Sequence, residues 1–206
     1  MGLISNGTTI FDAGAIDSGI AKGAMTFIKK LTASSDATLS FVNGASNVVF
    51  DSTYKENIFT FKDIHPSGTN INGLGFQGST DTGSSYGVNI TSSYFRATHD
   101  ESGSSSDVQY QASQDQAQGT GFQNISQSVG NDNDQTLAGY LHIFNPSDTT
   151  FVKHFIARTN NAHQSDKSRD VFAAGYMNTT SAIDAIQFKI NTGNIDAGDI
   201  CLYGIV

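Results

Sequence analysis

An all-β fold is the reading the sequence supports, an antiparallel β-sandwich that is jelly-roll-like and carries an extended N-terminal arm. Three observations lead there. Short apolar–polar alternations recur along residues 24–206, with turn residues between them. No stretch sustains apolar side chains at i, i+3, i+4 and i+7, so helices are expected only as short turns. The closing stretch 199–206 sets Ile200, Leu202 and Val206 on one face and Cys201, Tyr203 and Ile205 on the other, the pattern of a strand buried on both sides. Roughly ten short strands separated by turns suit a sandwich, with a closed barrel as the alternative. All-β domains as long as this chain of 206 residues commonly stay single, so one domain is expected over 24–206 after an arm over 1–23.

In the arm, Leu3, Ile4, Ile10, Phe11, Ile16 and Ile20 are spaced by Gly, Ser and Thr, with neither the helical nor the strand period sustained. Apolar residues in a segment without its own core dock on something, either the parent domain or a neighbouring subunit. These six are therefore the candidate assembly residues.

Strand candidates come next at 25–31 and 37–42. Asn43-Gly44 is a strong hairpin signal before Val48, Val49 and Phe50, and predicts a meander. In 54–64, Phe59 and Phe61 share one face while Ile58, Thr60, Lys62 and Ile64 share the other, and His65-Pro66 ends the run. Further strands are expected at 74–77 and 88–96. Residues 100–118 are dominated by Ser, Gln, Asp and Gly, with Val108 and Tyr110 as the only anchors, and read as an excursion from the sheet. After 122–125 and a polar loop at 129–135, strands are expected at 137–144, 150–157 and 171–176, the first two joined by the turn Asn145-Pro146-Ser147-Asp148. The last pair begins at 182–190, where Ile186, Phe188 and Ile190 oppose Gln187 and Lys189, and turns through Asn191-Thr192-Gly193-Asn194 into the closing strand. The fold cannot close until that strand arrives.

Composition limits the partners. Charged residues make up 15% of the chain, and 11 Lys plus Arg stand against 19 Asp plus Glu, for a net charge of −8. That balance repels phosphate backbones and anionic lipid, so neither nucleic acid nor a membrane is an expected partner. No apolar run approaches the roughly 18 residues of a membrane span. The single cysteine, Cys201, has no partner for an intramolecular disulfide and reads as a buried, inert thiol.

Chemistry is sparse. His65, His99, His142, His154 and His163 are the candidates for metal or catalysis, and no two stand at ligand spacing in sequence. His142 and His154 fall on strands joined by a turn and could face one another across the hairpin. Without a carboxylate or cysteine nearby, a structural pair is the better reading. Asn131-Asp132-Asn133-Asp134 is the densest oxygen cluster, but no late Glu comes after it, and a solvated turn is expected rather than a calcium loop. There is no nucleophile elbow and no phosphate loop. Glu56 and Glu101 are the only glutamates, a thin supply of acids for glycoside cleavage. A non-enzymatic protein is expected, with no catalytic residue, cofactor or metal. The 14 Phe and 7 Tyr suggest sugar stacking, but tryptophan is absent and most Phe positions fall on inward faces, so core packing is the expected role.

Several segments bring a family with them. Thr26-Phe27-Ile28-Lys29, Ser40-Phe41-Val42-Asn43-Gly44, Tyr54-Lys55-Glu56 with its Phe-rich strand, Phe144-Asn145-Pro146-Ser147, Phe151-Val152-Lys153-His154-Phe155 and the ending from Gly193-Asn194-Ile195-Asp196-Ala197-Gly198 to Leu202-Tyr203-Gly204-Ile205 resemble structural proteins of the virions of tailed phages, particularly phages of marine bacteria. The resemblance spans most of the chain and implies a role but no site. It implies a structural protein of the virion, either capsid decoration or cement, or a tail or fibre component, assembled in the cytoplasm of the bacterial host. Its partners would be other copies of itself, as a homo-oligomer such as a trimer, and other virion proteins. The rival reading, from another class, is a carbohydrate-binding module that recognises a host glycan at a fibre tip.

Overall fold

Alternating burial, the physical counterpart of the apolar–polar alternation, runs through the strands of the computed structural model, which describes residues 3–12, 15–16, 23–68 and 73–206. In chain order the strands are β1 (Leu3–Ser5), β2 (Thr8–Asp12), β3 (Ala15–Ile16), β4 (Met25–Thr32), β5 (Leu39–Val42), β6 (Glu56–Pro66), β7 (Leu74–Ser79) and β8 (Ile90–Asp100). They continue as β9 (Ser106–Tyr110), β10 (Gln123–Asn124), β11 (Leu137–Phe144), β12 (Lys153–His163), β13 (Lys167–Met177), β14 (Ala185–Ile190) and β15 (Ile195–Ile205).

Two antiparallel sheets face each other. The larger has eight strands in the order β4-β15-β6-β11-β12-β13-β8-β9, and the smaller has four in the order β10-β7-β14-β5. The chain therefore crosses between layers at β4 to β5, β5 to β6, β6 to β7, β7 to β8, β9 to β10, β10 to β11, β13 to β14 and β14 to β15. Aromatic side chains weld the layers. Phe188 of β14 meets Phe59 and Phe61 of β6 at ring-centroid distances of 5.1 and 5.4 Å, and Phe76 of β7 meets Phe155 of β12 at 5.0 Å. Edge-to-face geometry dominates these contacts, as ring quadrupoles favour. The all-β sandwich expected from the sequence is the observed fold.

Four local expectations are corrected. Val48 and Phe50 are buried in the core but form no strand; Gly44 N–H donates to Val48 O at 2.9 Å, so Asn43-Gly44 closes a tight loop instead of a hairpin. Ile64 points into the core beside Phe59 and Phe61, because a bulge at Asp63 (φ 51°) shifts the alternation by one residue. The excursion at 100–118 returns to the sheet: β9 pairs with β8 and forms its edge, leaving Val108 and Tyr110 exposed. The last strand is buried on one face only. Ile200 and Leu202 are fully buried, but Cys201, Tyr203 and Ile205 face outward half-buried and Val206 is exposed. β15 nonetheless lies inside the sheet, paired with β4 on one side and β6 on the other.

The arm holds a small sheet, in the order β1-β2-β3, turned through Asn6 and Gly7 at positive φ. The sequence does not predict strands there, because its apolar residues do not alternate.

Candidate functional site

The strands of the large sheet turn one face to the small sheet and the other outward. On β12 the inward residues Phe155, Ala157, Thr159 and Asn161 are buried, while His154, Ile156, Arg158 and Asn160 are exposed. Register carries two outward rows across the strands. One runs Lys30, Cys201, Thr60, Tyr140, Arg158, Phe172, Phe95 and Tyr110; the other runs Phe27, Tyr203, Ile58, His142, Ile156 and Ala174. An outward face is expected to be polar in a sandwich open to water. Here Phe27 is 56% exposed and Ile156 47%, with Met25, Phe95, Tyr140 and Tyr110 also exposed. The expectation that most Phe positions fall on inward faces is thus met only in part. Phe41, Phe50, Phe59, Phe61, Phe76, Phe155 and Phe188 do, but a second aromatic set faces out.

Polar groups on this face neutralise one another. Arg158 Nη2 lies 2.8 Å from Asp170 Oδ2 and its guanidinium stands 4.8 Å from the Phe172 ring centroid. Phe172 in turn stacks on Phe95 at 4.8 Å with the planes 6° apart. Lys30 Nζ contacts Asp199 Oδ2 at 3.2 Å, and bonds from Thr32 and Lys30 hold the Asp199 carboxyl below its usual range. His142 Nε2 is 2.8 Å from Glu56 Oε2, at ion-pair distance though off hydrogen-bond alignment. The charged residues that register sets in the outward rows, Lys30, Lys62 and Arg158 against Glu56, Asp170 and Asp199, balance one another, with Asp63 exposed at the bulge beside them, on a molecule of net charge −8.

At one end of the face the turn 145–152 walls a cleft of about 560 Å³ lined by Phe144, Asn145, Asp148, Thr150, Phe151, Val152, His154 and Thr180. Its frame is polar. Asp148 Oδ1 accepts the N–H groups of Thr150 and Phe151, both at 2.6 Å, which with neighbouring lysines holds its carboxyl below the usual range. Below, the fully buried Lys153 donates from Nζ to Phe151 O at 2.8 Å and Thr179 O at 3.2 Å, and burial lowers its pKa. Held from both sides, Phe151 stands 70% exposed over the cleft. Sequence reasoning missed Lys153 as a structural post, since alternation groups it with Phe155 and Ala157 without saying which way that set faces or what it meets.

The structure places the residues singled out from the sequence. His142 and His154 do share the outward face, but offset by two positions: His142 is opposite Ile156. Each takes an aromatic neighbour, Phe144 and Tyr176 respectively. Asn131-Asp132-Asn133-Asp134 is a largely exposed turn in which Gln135 N–H donates to Asp132 O at 2.8 Å. Among the described residues no group of three or more His, Cys, Asp or Glu is gathered for a metal. Of the arm residues, Ile4 is exposed and Ile10 half-buried; the side chains of Leu3, Phe11 and Ile16, and the whole of Ile20, lie outside the described residues. No family model matches the chain, and neither a curated protein nor a solved structure is found similar to it.

Proposed function

We propose that this chain is a non-enzymatic structural protein of a tailed-phage virion, capsid decoration or tail or fibre component, that works by protein–protein assembly through the outer face of its large sheet. The observation that carries the reading is an outward face that is aromatic and close to electrically neutral on an acidic molecule. Exposed aromatic and aliphatic side chains gathered on one sheet face mark an interaction site, and with most of the net charge of −8 elsewhere this is the face on which copies approach with least mutual repulsion. The strand order supports the role. Setting aside β8, β9, β12 and β13, the layers read β4-β15-β6-β11 and β5-β14-β7-β10, an order that supports reading the sandwich as a jelly roll, an architecture used by capsid subunits.

The occupant of the face is a second copy of the chain, with the arm residues Ile4 and Ile10 as further contacts. Light scattering behind size exclusion tests it: the protein should elute as a homo-oligomer, and Phe27→Ser with Ile156→Ser should shift it to monomer while leaving the melting temperature nearly unchanged. A wild-type monomer at every accessible concentration overturns the reading. Membership in a particle is tested by mass spectrometry of purified virions, where many copies per particle are expected.

One observation favours the glycan reading in second place. The cleft under Phe151 combines the exposed rings of Phe151 and His154 and the half-buried ring of Phe144 with hydroxyl and amide groups (Thr150, Thr180, Asn145), a lining that suits the apolar face and hydroxyl edge of a sugar ring. A glycan array that gives saturable binding abolished by Phe151→Ala would move the assignment there.

A further inference from the structure

At β8, β12 and β13 the inner face of the large sheet is covered by the segment 125–130. Thr159 Oγ1 donates to Ile125 O at 2.5 Å, Arg169 Nη1 to Gln127 O at 3.3 Å, and Val129 bridges to His163. Beneath that segment alternation turns polar side chains inward. Asn161 stands opposite Arg169 across the β12–β13 pair. Arg96 stands opposite Val171, and is therefore the diagonal neighbour of Arg169, with Tyr94 two residues along the same face of β8.

These groups are buried without adequate partners. Tyr94 is 0%, Asn161 1% and Arg169 6% exposed, and Arg96 is half-buried. The Tyr94 hydroxyl, both amide atoms of Asn161 and the Nε of each arginine have no hydrogen-bond partner among the described residues. Arg169 reaches only Gln127, its backbone O at 3.3 Å and its Oε1 at 3.4 Å, and Arg96 reaches the neutral Thr98 Oγ1 and Gln109 Oε1 at 2.9 and 3.0 Å. No carboxylate lies within ion-pair distance of either guanidinium among the described residues. Asp107 of the edge strand β9 acts on Arg169 only through space, from opposite Thr98. Burial first, and then Arg96, pushes Arg169 down to about 10. That still leaves two like charges at neutral pH, on a protein whose net charge is −8.

A buried, unpaired cation is among the costliest things a fold can carry, and it persists where something neutralises it. We infer that Arg96 and Arg169, with the Tyr94 hydroxyl and the Asn161 side-chain amide, form a binding site for a small oxyanion of the phosphate or sulfate class under the segment 125–130. The free Nε–H groups, the phenol and the amide N–H are hydrogen-bond donors, and two guanidinium groups match an oxyanion in both charge and geometry. A carboxylate from another chain offers the same chemistry, and the test separates the two.

The protein is dialysed extensively against buffer with chloride as the only small anion, then melted against increasing phosphate, sulfate or chloride at matched ionic strength. Phosphate or sulfate should raise the melting temperature saturably and chloride should not. The response should vanish in Arg169→Met and in Arg96→Gln, and persist in Arg158→Gln, a surface arginine already paired with Asp170. Without oxyanion, Arg169→Met should melt at or above wild type, and saturating phosphate should reverse that order. If Arg169→Met does not fold, the half-buried Arg96 carries the test by its own response. Equal losses in both variants with and without phosphate and sulfate would show that the cations are satisfied within the fold, and would overturn the site. So would an absent anion response combined with loss of self-association in Arg96→Gln, which would identify a partner's carboxylate as the occupant.

Discussion

Replacing Phe188 by alanine should cost close to half of the stability of a typical domain, and the structure says why. Phe188 is fully buried on β14, between β7 and β5 in the small sheet. Its ring meets Phe59 and Phe61 of the opposite sheet at 5.1 and 5.4 Å, and Phe41 of its own sheet at 6.2 Å. Truncating a core Phe costs about 3–5 kcal/mol in transfer and cavity energy. Three edge-on ring contacts, at about 0.5–1.5 kcal/mol for a favourable pair, place this site at the upper end. The expected loss is about 4–5 kcal/mol, against about 5–15 kcal/mol for a whole domain. Phe172→Ala is the matched control. It deletes a ring of the same size from the outer face, where the stack on Phe95 and the contact with Arg158 are half in water, and should cost about 1–2 kcal/mol in the monomer. Urea unfolding tracked by circular dichroism measures both, since the chain has no tryptophan to report by fluorescence. If Phe188→Ala loses less than about 2 kcal/mol with an unchanged urea slope, or no more than Phe172→Ala, then the two sheets are not joined as described and the reasoning fails.

Local geometry sets three further outcomes. Gly198 sits at φ 110° and an added Cβ would stand 2.5 Å from Asp63 O, so Gly198→Ala should lower stability by about 1–3 kcal/mol, read as a drop in urea midpoint. Burial, and then Arg169, holds His163 at about 4, well below its ordinary 6.5, and its Nδ1 accepts the Ser165 N–H at 3.0 Å. The unfolded chain therefore takes up the proton first as pH falls below 6.5. The stability held by the neutral ring should be intact above that value and lost progressively toward pH 4, a slope that His163→Gln should flatten in melts across the same range. Cys201 faces outward between Lys30 and Thr60, half-buried, so its labelling by a thiol reagent should slow as protein concentration rises into the oligomer range. A rate independent of concentration would count against the outer face as the contact surface.

How much of the fold is legible in the sequence depends on how local the signal is. Strand identity is legible wherever alternation persists: β11 to β15 overlap the expected stretches, but β12 begins at Lys153 rather than at 150 and β15 already at Ile195 rather than at 199, and β12 and β13 run further than expected because their polar ends, Arg158 to His163 and Lys167 to Asp170, keep the period without apolar markers. Asn43-Gly44 announces a turn correctly but not the fate of the residues beyond it, since Val48 and Phe50 are held by core burial rather than by a ladder. Alternation assigns Ile64 to the wrong face because one bulged residue, Asp63, reverses every assignment beyond it, and only the partners β11 and β15 fix where the bulge falls. The candidate site is the least legible. Alternation separates Phe172 from Val171 and Ile156 from Phe155, but nothing in the sequence says which set meets the other sheet and which meets water.

The sequence by itself determined an all-β chain, acidic and poor in charge, with strands and turns in nearly their observed places, because a period of two and the turn preferences of Asn, Gly and Pro act over a few neighbouring residues. The tertiary structure alone decided which faces are covered. It put Lys153, Arg169 and Asn161 inside and Phe27, Phe95 and Phe151 outside. Burial depends on which strands the chain brings together from far apart, and pairings such as β15 with β4, or β13 with β8, leave no mark on the residues between them.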